Sequence, residues 1–283
     1  MQNERQQQAV TADGRVLSGT SYGPAGGRPV LFVAGAATSK LMTFGSDLLS
    51  TLNLQLLTMD RPGIGGSTPD PTRTLASTAA DYLVFVSAVL GEQTGKVAVV
   101  ANSQGAVFGL ALACAGGADG LTLVSPADEI AHPRIHAMLP REATMLSDLA
   151  QTKPEEAAAI LAGFSAHAME EMVMSGSGPE DAGFYRREPF VSLYRRSLEE
   201  GFNNGGAGYV RDTLIAMRTW DLDLDAIDCT VQVLFGAGDI THSPDHGETL
   251  TGRIPGATRR VFPDAGGALL WTHAREILES VAA

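Results

Sequence analysis

The chain has 283 residues, 44% of them apolar, with 20 basic against 32 acidic side chains and a net charge of −12. That length suits one large domain carrying an insertion and provides enough apolar residues for a sizeable core, while the acidic balance argues against phosphate backbones and anionic membrane surfaces as partners. Neither nucleic acid nor membrane is expected as a partner. The polar N-terminus lacks the apolar stretch of a secretory signal, and no run approaches the roughly 20 apolar residues of a membrane span, so a cytoplasmic location is expected. Cys114 and Cys229 show no repeated spacing, so two free buried thiols are expected rather than a disulfide framework or a zinc site. No metal and no cofactor is anticipated.

In chain order, short strands are expected at 8–10 and 16–21, then at 29–34, 54–59, 96–102, 121–125, 231–235 and 258–262. Small residues after the strand at 29–34 (Ala34-Gly35-Ala36-Ala37) and a Gly-rich turn after 54–59 (Asp60-Arg61-Pro62-Gly63-Ile64-Gly65-Gly66-Ser67) mark tight loops. Residues 78–90 carry apolar side chains at helical spacing where a crossover helix between parallel strands is required. Strands alternating with helices predict a doubly wound, mostly parallel α/β sheet.

The most informative segment is Val97-Ala98-Val99-Val100-Ala101-Asn102-Ser103-Gln104-Gly105, followed by small and apolar residues to Ala113. It reads as a buried strand, a sharp turn and a helix, the setting in which a serine hydroxyl is held exposed in a strained conformation. A surface serine at a helix N-cap is the competing reading of the bare motif. Downstream, 231–235 ends in Gly236-Ala237-Gly238-Asp239, and 258–262 is followed by Pro263-Asp264-Ala265-Gly266-Gly267.

Taken in order, these motifs resemble the α/β-hydrolase family, from about Asp13 to the C-terminus. The resemblance implies Ser103 as nucleophile, Asp239 as acid, and the backbone N–H groups of Ala36 and Gln104 as oxyanion hole. It also implies a histidine where the chain has Gly267. A serine hydroxyl depends on a base, so the six histidines become candidates. His242 lies three residues beyond Asp239 on the same loop; His132 and His136 stand where the chain leaves the strand at 121–125, over the expected mouth of the site. His273, six residues past Gly267, is expected at the start of the last helix, a turn or more away, with a surface or helix-packing role as the competing reading. His167 and His246 read as helix-surface residues. Asp128 is an alternate acid, or the N-cap of an inserted helix.

Between 128 and 218 strand-like runs disappear and methionine rises: Met138, Met145, Met169, Met172 and Met174. This stretch is expected to be a helical lid on a core formed by 1–127 and 219–283, its methionines either lining an apolar pocket for a small hydrophobic molecule or packing the lid onto the core. Breaks at 175–179 and 201–208 read as hinges or loops. Three functions follow: a non-hydrolytic lyase, isomerase or cyclase that uses the oxyanion hole and Ser103 while Asp239, free of histidine, or a lid group moves a proton, which is the preferred expectation; an esterase, thioesterase or lactonase with a relocated or substrate-supplied base; or a ligand-binding pseudoenzyme. In each case Gly267 is expected to leave an imidazole-sized space between Ser103 and Asp239.

Overall fold

The computed structural model describes residues 4–91 and 95–282. Its strands are β1 (Arg5–Val10), β2 (Val16–Tyr22), β3 (Arg28–Val33), β4 (Leu54–Met59), β5 (Val97–Ser103), β6 (Ala118–Pro126), β7 (Thr230–Gly236) and β8 (Thr258–Phe262). They form one sheet in the order β1-β2-β4-β3-β5-β6-β7-β8. The first two pairings, β1 with β2 and β2 with β4, are antiparallel, and the rest are parallel. The doubly wound α/β arrangement expected from the alternation is present, each central strand being an almost continuous apolar run because both of its faces are covered.

Helices α1 (Leu75–Leu90) and α2 (Gly105–Cys114) serve as crossovers. Every residue of α2 from Gly105 to Ala113 is buried, as expected of a helix apolar on all sides. Between β6 and β7 the chain makes α3 (Pro133–Met138), α4 (Arg141–Thr152), α5 (Pro154–Leu161), α6 (Ala166–Gly176), α7 (Pro179–Tyr185), α8 (Phe190–Gly201) and α9 (Ala207–Met217). After β7 come α10 (Glu248–Gly252), α11 (Leu269–Thr272) and α12 (Ala274–Ala282). The insertion meets the loops that leave the carboxyl ends of the parallel strands: Ser39 N–H donates to Ser197 O at 3.2 Å, and Gly208 lies against Gly63. Among the described residues no helix is long and apolar enough to cross a membrane.

One local expectation is corrected. Met138, Met145 and Met172 do not line a pocket; they are exposed, while Met169 is buried in the core and Met174 packs beside it. Exposed methionines pay little for their solvation because the thioether is weakly polar. A cleft of about 610 Å³ lies instead between the loop at 62–71, α5 and α9, lined by Pro62, Pro71, Ala158, Ala162, Val210 and Leu214 among others, and none of the expected site residues borders it. Of the two expected breaks, 175–179 is the end of α6 and the start of α7, and 201–208 contains the left-handed residues Asn204, Gly205 and Gly206 that turn α8 into α9. Cys114 and Cys229 are free and partly buried.

Gly105 shows how closely α2 approaches the sheet. A Cβ there would lie 2.2 Å from the carbonyl oxygen of Val33 and 2.6 Å from that of Ala34, and rigid backbone cannot yield as a flexible side chain does. Gly105→Val is expected to destabilise the fold by about 3 kcal/mol, seen as a lower urea midpoint. An unchanged midpoint would mean that α2 can back away freely.

Candidate active site

Ser103 ends β5 with φ of 53°, a left-handed conformation that costs a non-glycine residue roughly 1–3 kcal/mol. The surrounding structure imposes it. Ala127 N–H donates to Ser103 O at 3.0 Å, Gly105 leaves no room to relax, and a Cβ on Gly35 would stand only 3.3 Å from Ser103 Cβ. The turn expected of a nucleophile is therefore present, with the Gly35 loop pressed against it.

That loop carries Ala36, and Gln104 opens α2. Among the described residues, neither the Ala36 nor the Gln104 N–H has a protein acceptor, so both remain available to an oxygen near Ser103. The loop is held from behind. Arg61 Nη1 donates to Ala34 O at 3.0 Å and Nη2 to Gly35 O at 3.1 Å, and the Thr38 hydroxyl donates to Gly35 O at 3.0 Å. Gln104 Nε2 donates to Thr213 Oγ1 on α9 at 3.1 Å.

Asp239 follows β7 with its carboxylate fully buried. It is not free. His242 Nδ1 lies 2.9 Å from Oδ2 and 3.0 Å from Oδ1, and Thr241 donates both its N–H and its hydroxyl to Oδ1 at 3.1 Å. Burial alone would raise the Asp239 pKa, but the His242 imidazole, with the Thr241 N–H, outweighs it and holds the carboxyl well below the usual carboxylate range. Paired in this way, Nδ1 carries the proton toward Asp239 and Nε2 is left as the ring's open nitrogen.

The loop that bears this pair is braced. Asp128 N–H donates to His242 O at 3.1 Å, and Asp128 Oδ2 accepts from the Ser243 hydroxyl at 2.8 Å. Asp128 thus braces the Asp239 loop, its carboxylate taking the Ser243 hydroxyl and the Glu129 N–H. His246 is corrected as well. It is no helix-surface residue: Nε2 lies 3.0 Å from Asp239 O, and its ring packs edge-on against Phe235. Because Ala127 holds Ser103 and the next residue, Asp128, holds His242, the two candidates hang from adjacent residues at the end of β6.

The remaining histidines have surroundings of their own. His136 pairs with Asp148 at 2.9 Å on an exposed face. His132 caps α3 through backbone only, its Nδ1 buried without a partner. His273 packs on Phe262, and His167 sits beside Glu171 on the surface.

Position 267 borders the His242 ring and the Asp239 carboxylate. A Cβ on Gly267 would stand 3.3 Å from His242 Cε1, 3.4 Å from Asp239 Oδ1 and 3.5 Å from Asp181 Oδ2. Asp181, from α7, accepts the N–H of Gly267 at 2.7 Å and of Ala268 at 3.0 Å. Sequence reasoning missed Asp181. It belongs to a helix start where an acidic residue needs no further explanation, and only the paired glycines 266 and 267 hinted that something had to come close.

The depressed Asp239 pKa has a stability consequence. A group whose folded pKa lies below its unfolded value, near 3.9, contributes stability that is present above that value and lost as pH falls through the folded pKa. Urea midpoints of the wild type and Asp239→Asn should therefore differ more at pH 6 than at pH 3. A gap independent of pH would mean that the carboxylate is not ionised against His242.

No curated protein matches the chain in sequence. Among solved structures it is similar to a hydrolase from Pseudomonas aeruginosa PA01 (20% identity, 98% of each chain covered, TM-score 0.70) and an enol-lactonase from Burkholderia xenovorans LB400 (20%, 97% of each, 0.68). It is also similar to a thermophilic esterase from Thermogutta terrifontis (18%, 99% of this chain and 96% of that one, 0.68). Identities this low speak for the fold. The alpha/beta hydrolase family itself matches residues 30–279, and with the strand order and the turn at Ser103 this means that the chain belongs to the alpha/beta hydrolase family and is an enzyme of that superfamily.

Proposed function

We propose that the chain is a serine hydrolase of small, neutral, hydrophobic esters or lactones, with Ser103 as nucleophile, His242 as a base relocated to the acid loop, and Asp239 as its partner. The observation that carries this reading is the contact of His242 Nδ1 with both oxygens of the buried Asp239 carboxylate. A carboxylate that fixes the ring through Nδ1 and stabilises its charged form is the device by which an imidazole accepts a serine proton at Nε2. The Ser103 proton passes to Nε2 as Oγ bonds to the substrate carbonyl carbon. The oxygen becomes negative and takes the N–H groups of Ala36 and Gln104. Collapse expels the alkoxide, which recovers the proton from His242, and water reverses the sequence to release the acid.

The non-hydrolytic alternative needs Asp239 or a group of the insertion to move a proton. The Asp239 carboxylate is engaged by His242 and Thr241, which removes the first of these carriers. A pseudoenzyme has no use for a strained serine, which costs stability without return unless the hydroxyl is used. The hydrolase reading also agrees with the names of the structural relatives, an enol-lactonase and an esterase among them. For the substrate's apolar part, Tyr185, Phe190 and Trp271 form a cluster of rings 5.0–6.1 Å apart between the insertion and α11, next to the Asp181 contact. On this reading residues 128–218 are a lid over the reacting groups, the cluster forming part of its underside.

The wild type should hydrolyse p-nitrophenyl butyrate, and a fluorophosphonate probe should label Ser103. Ser103→Ala and His242→Ala are each expected to lower kcat by a factor on the order of 10⁴–10⁶, while His273→Ala leaves it near wild type. Gly267→His should not add activity, because the Asp239 carboxylate is already paired with His242. Full turnover in His242→Ala, or gain in Gly267→His, would assign the base elsewhere.

A further inference from the structure

Beneath the Gly35 loop lies a charge cluster that the acyl-transfer steps leave unused. Arg61, Arg73 and Asp212 are each at most 2% exposed. Arg61 Nε donates to Asp212 Oδ2 at 2.7 Å, and Arg73 Nη2 donates to Asp212 Oδ1. Two guanidinium groups thus share one carboxylate, leaving one positive charge in excess in the interior. Arg73 Nη2 also donates to the neutral Gly208 O at 3.2 Å, and among the described residues Arg73 Nε and Nη1 are buried without an acceptor, so no second anion offsets the excess. The Phe108 ring, 4.7 Å from the Arg61 guanidinium and 6.0 Å from that of Arg73, offers its negative face to both. Tyr82 adds no anion, since burial raises its phenol pKa. If the only task were to tie α9 to the loop after β4, one arginine would suffice, and an unmatched buried charge is costly.

The geometry gives the charge a direction. The Gly35 carbonyl that accepts from Arg61 Nη2 at 3.1 Å belongs to the same peptide group as the Ala36 N–H. A cation bonded to the carbonyl end of an amide draws electron density from it and makes the N–H at the other end a stronger donor. We propose that Arg61, Arg73 and Asp212 form an electrostatic extension of the oxyanion hole, their excess positive charge acting through the Gly35–Ala36 peptide on the negative oxygen that develops beside Ser103. Arg61 and Arg73 are positioning residues: Arg61 touches the peptide and Arg73 acts through the Asp212 carboxylate that the two share, and neither is assigned a contact with the substrate. The proposal rests on the hydrolase reading.

Neighbouring charges do not cancel the effect. Arg211, which donates to Arg73 O, adds a further cation. Asp70 lies toward solvent, accepting from Thr72. Lys40, Asp60 and Glu200 carry the reverse excess, two carboxylates on one ammonium, but Glu200 is a quarter exposed and faces solvent screening.

Arg73→Met is the decisive variant because it removes the excess charge while leaving a neutral Arg61–Asp212 pair, and Arg73→Gln replaces it if the first does not fold. Either should lower kcat for p-nitrophenyl butyrate about tenfold with KM little changed, whereas Arg73→Lys restores most of it. Arg61→Lys should lower kcat as well, since it keeps the charge but loses the two-carbonyl contact. A readout free of turnover uses the thiol introduced by Ser103→Cys, titrated by thiolate absorbance: adding Arg73→Met should raise its pKa by about half a unit or more. Unchanged kcat with an unshifted thiol would overturn the proposal, and so would a lower kcat accompanied by a lower melting temperature and an unshifted thiol, which is the mark of a purely structural cluster. A wild type inert toward esters, with the thiol still shifting, would sink the hydrolase reading and leave the charge effect standing.

Discussion

The arrangement of the site turns on the Asp181 carboxylate, which takes the N–H groups of Gly267 and Ala268. A Cβ on Gly266 would fall 2.3 Å from Asp181 Oδ2, so that carboxylate and a side chain at 266 exclude each other. One position further, a Cβ at 267 would touch the His242 ring at 3.3 Å, Asp239 at 3.4 Å and Asp181 at 3.5 Å. What bonds Asp239 comes from three residues along its own loop, where His242 Nδ1 meets both carboxylate oxygens.

A buried carboxylate is stable only if its lone pairs are occupied, and each buried acid near the site obeys this differently. Asp239 takes His242 and Thr241; Asp128 takes Ser243 and the Glu129 N–H; Asp212 takes two arginines. Asp128 differs in sign from Asp239. Its burial, only partly offset by the Ser243 hydroxyl and the Glu129 N–H, pushes its pKa up, so it braces the loop at some cost near neutrality, whereas Asp239 contributes most there. A loop that spends one carboxylate to brace another makes sense where position matters more than stability.

Much of this was legible in the sequence, and the reason is periodicity. The central strands are unbroken apolar runs between glycine-rich turns, so their places and order survive without tertiary information, as does the strained serine that the β5 turn presents. The inserted helices were legible as helices but not by face: Met138, Met145 and Met172 look like core by composition, yet which side of a short helix meets the body depends on partners far away in sequence. His242 stood among several candidates because its loop has no periodic pattern, and only the distance to Asp239 separates it from His132 or His136. Asp181 and Asp212 were invisible for the same reason. Their partners are 86 and 151 residues away, and a single acidic residue on a helix carries no mark of what it will meet.

Placing the proposed base and its acid on one loop changes what must be held in register. When acid and base come from separate loops, each must be positioned independently against the nucleophile. Here the His242–Asp239 pair closes over three residues, so little chain entropy is spent in forming it, and His246 and Ser243 stiffen the same loop from behind. Only one relation then remains to be fixed, that between the loop and Ser103. The end of β6 fixes it: Ala127 holds the Ser103 carbonyl and Asp128 the His242 carbonyl, consecutive peptides of one short segment. Preorganisation of this kind is what acyl transfer demands, since misplacement by about 1 Å can cost a hundredfold in rate. The oxyanion side is held by an independent set of contacts, with Arg61 and Thr38 on the Gly35 carbonyl and Thr213 on Gln104. On the proposed reading the two halves of the site meet at Ser103, whose strained turn both must satisfy.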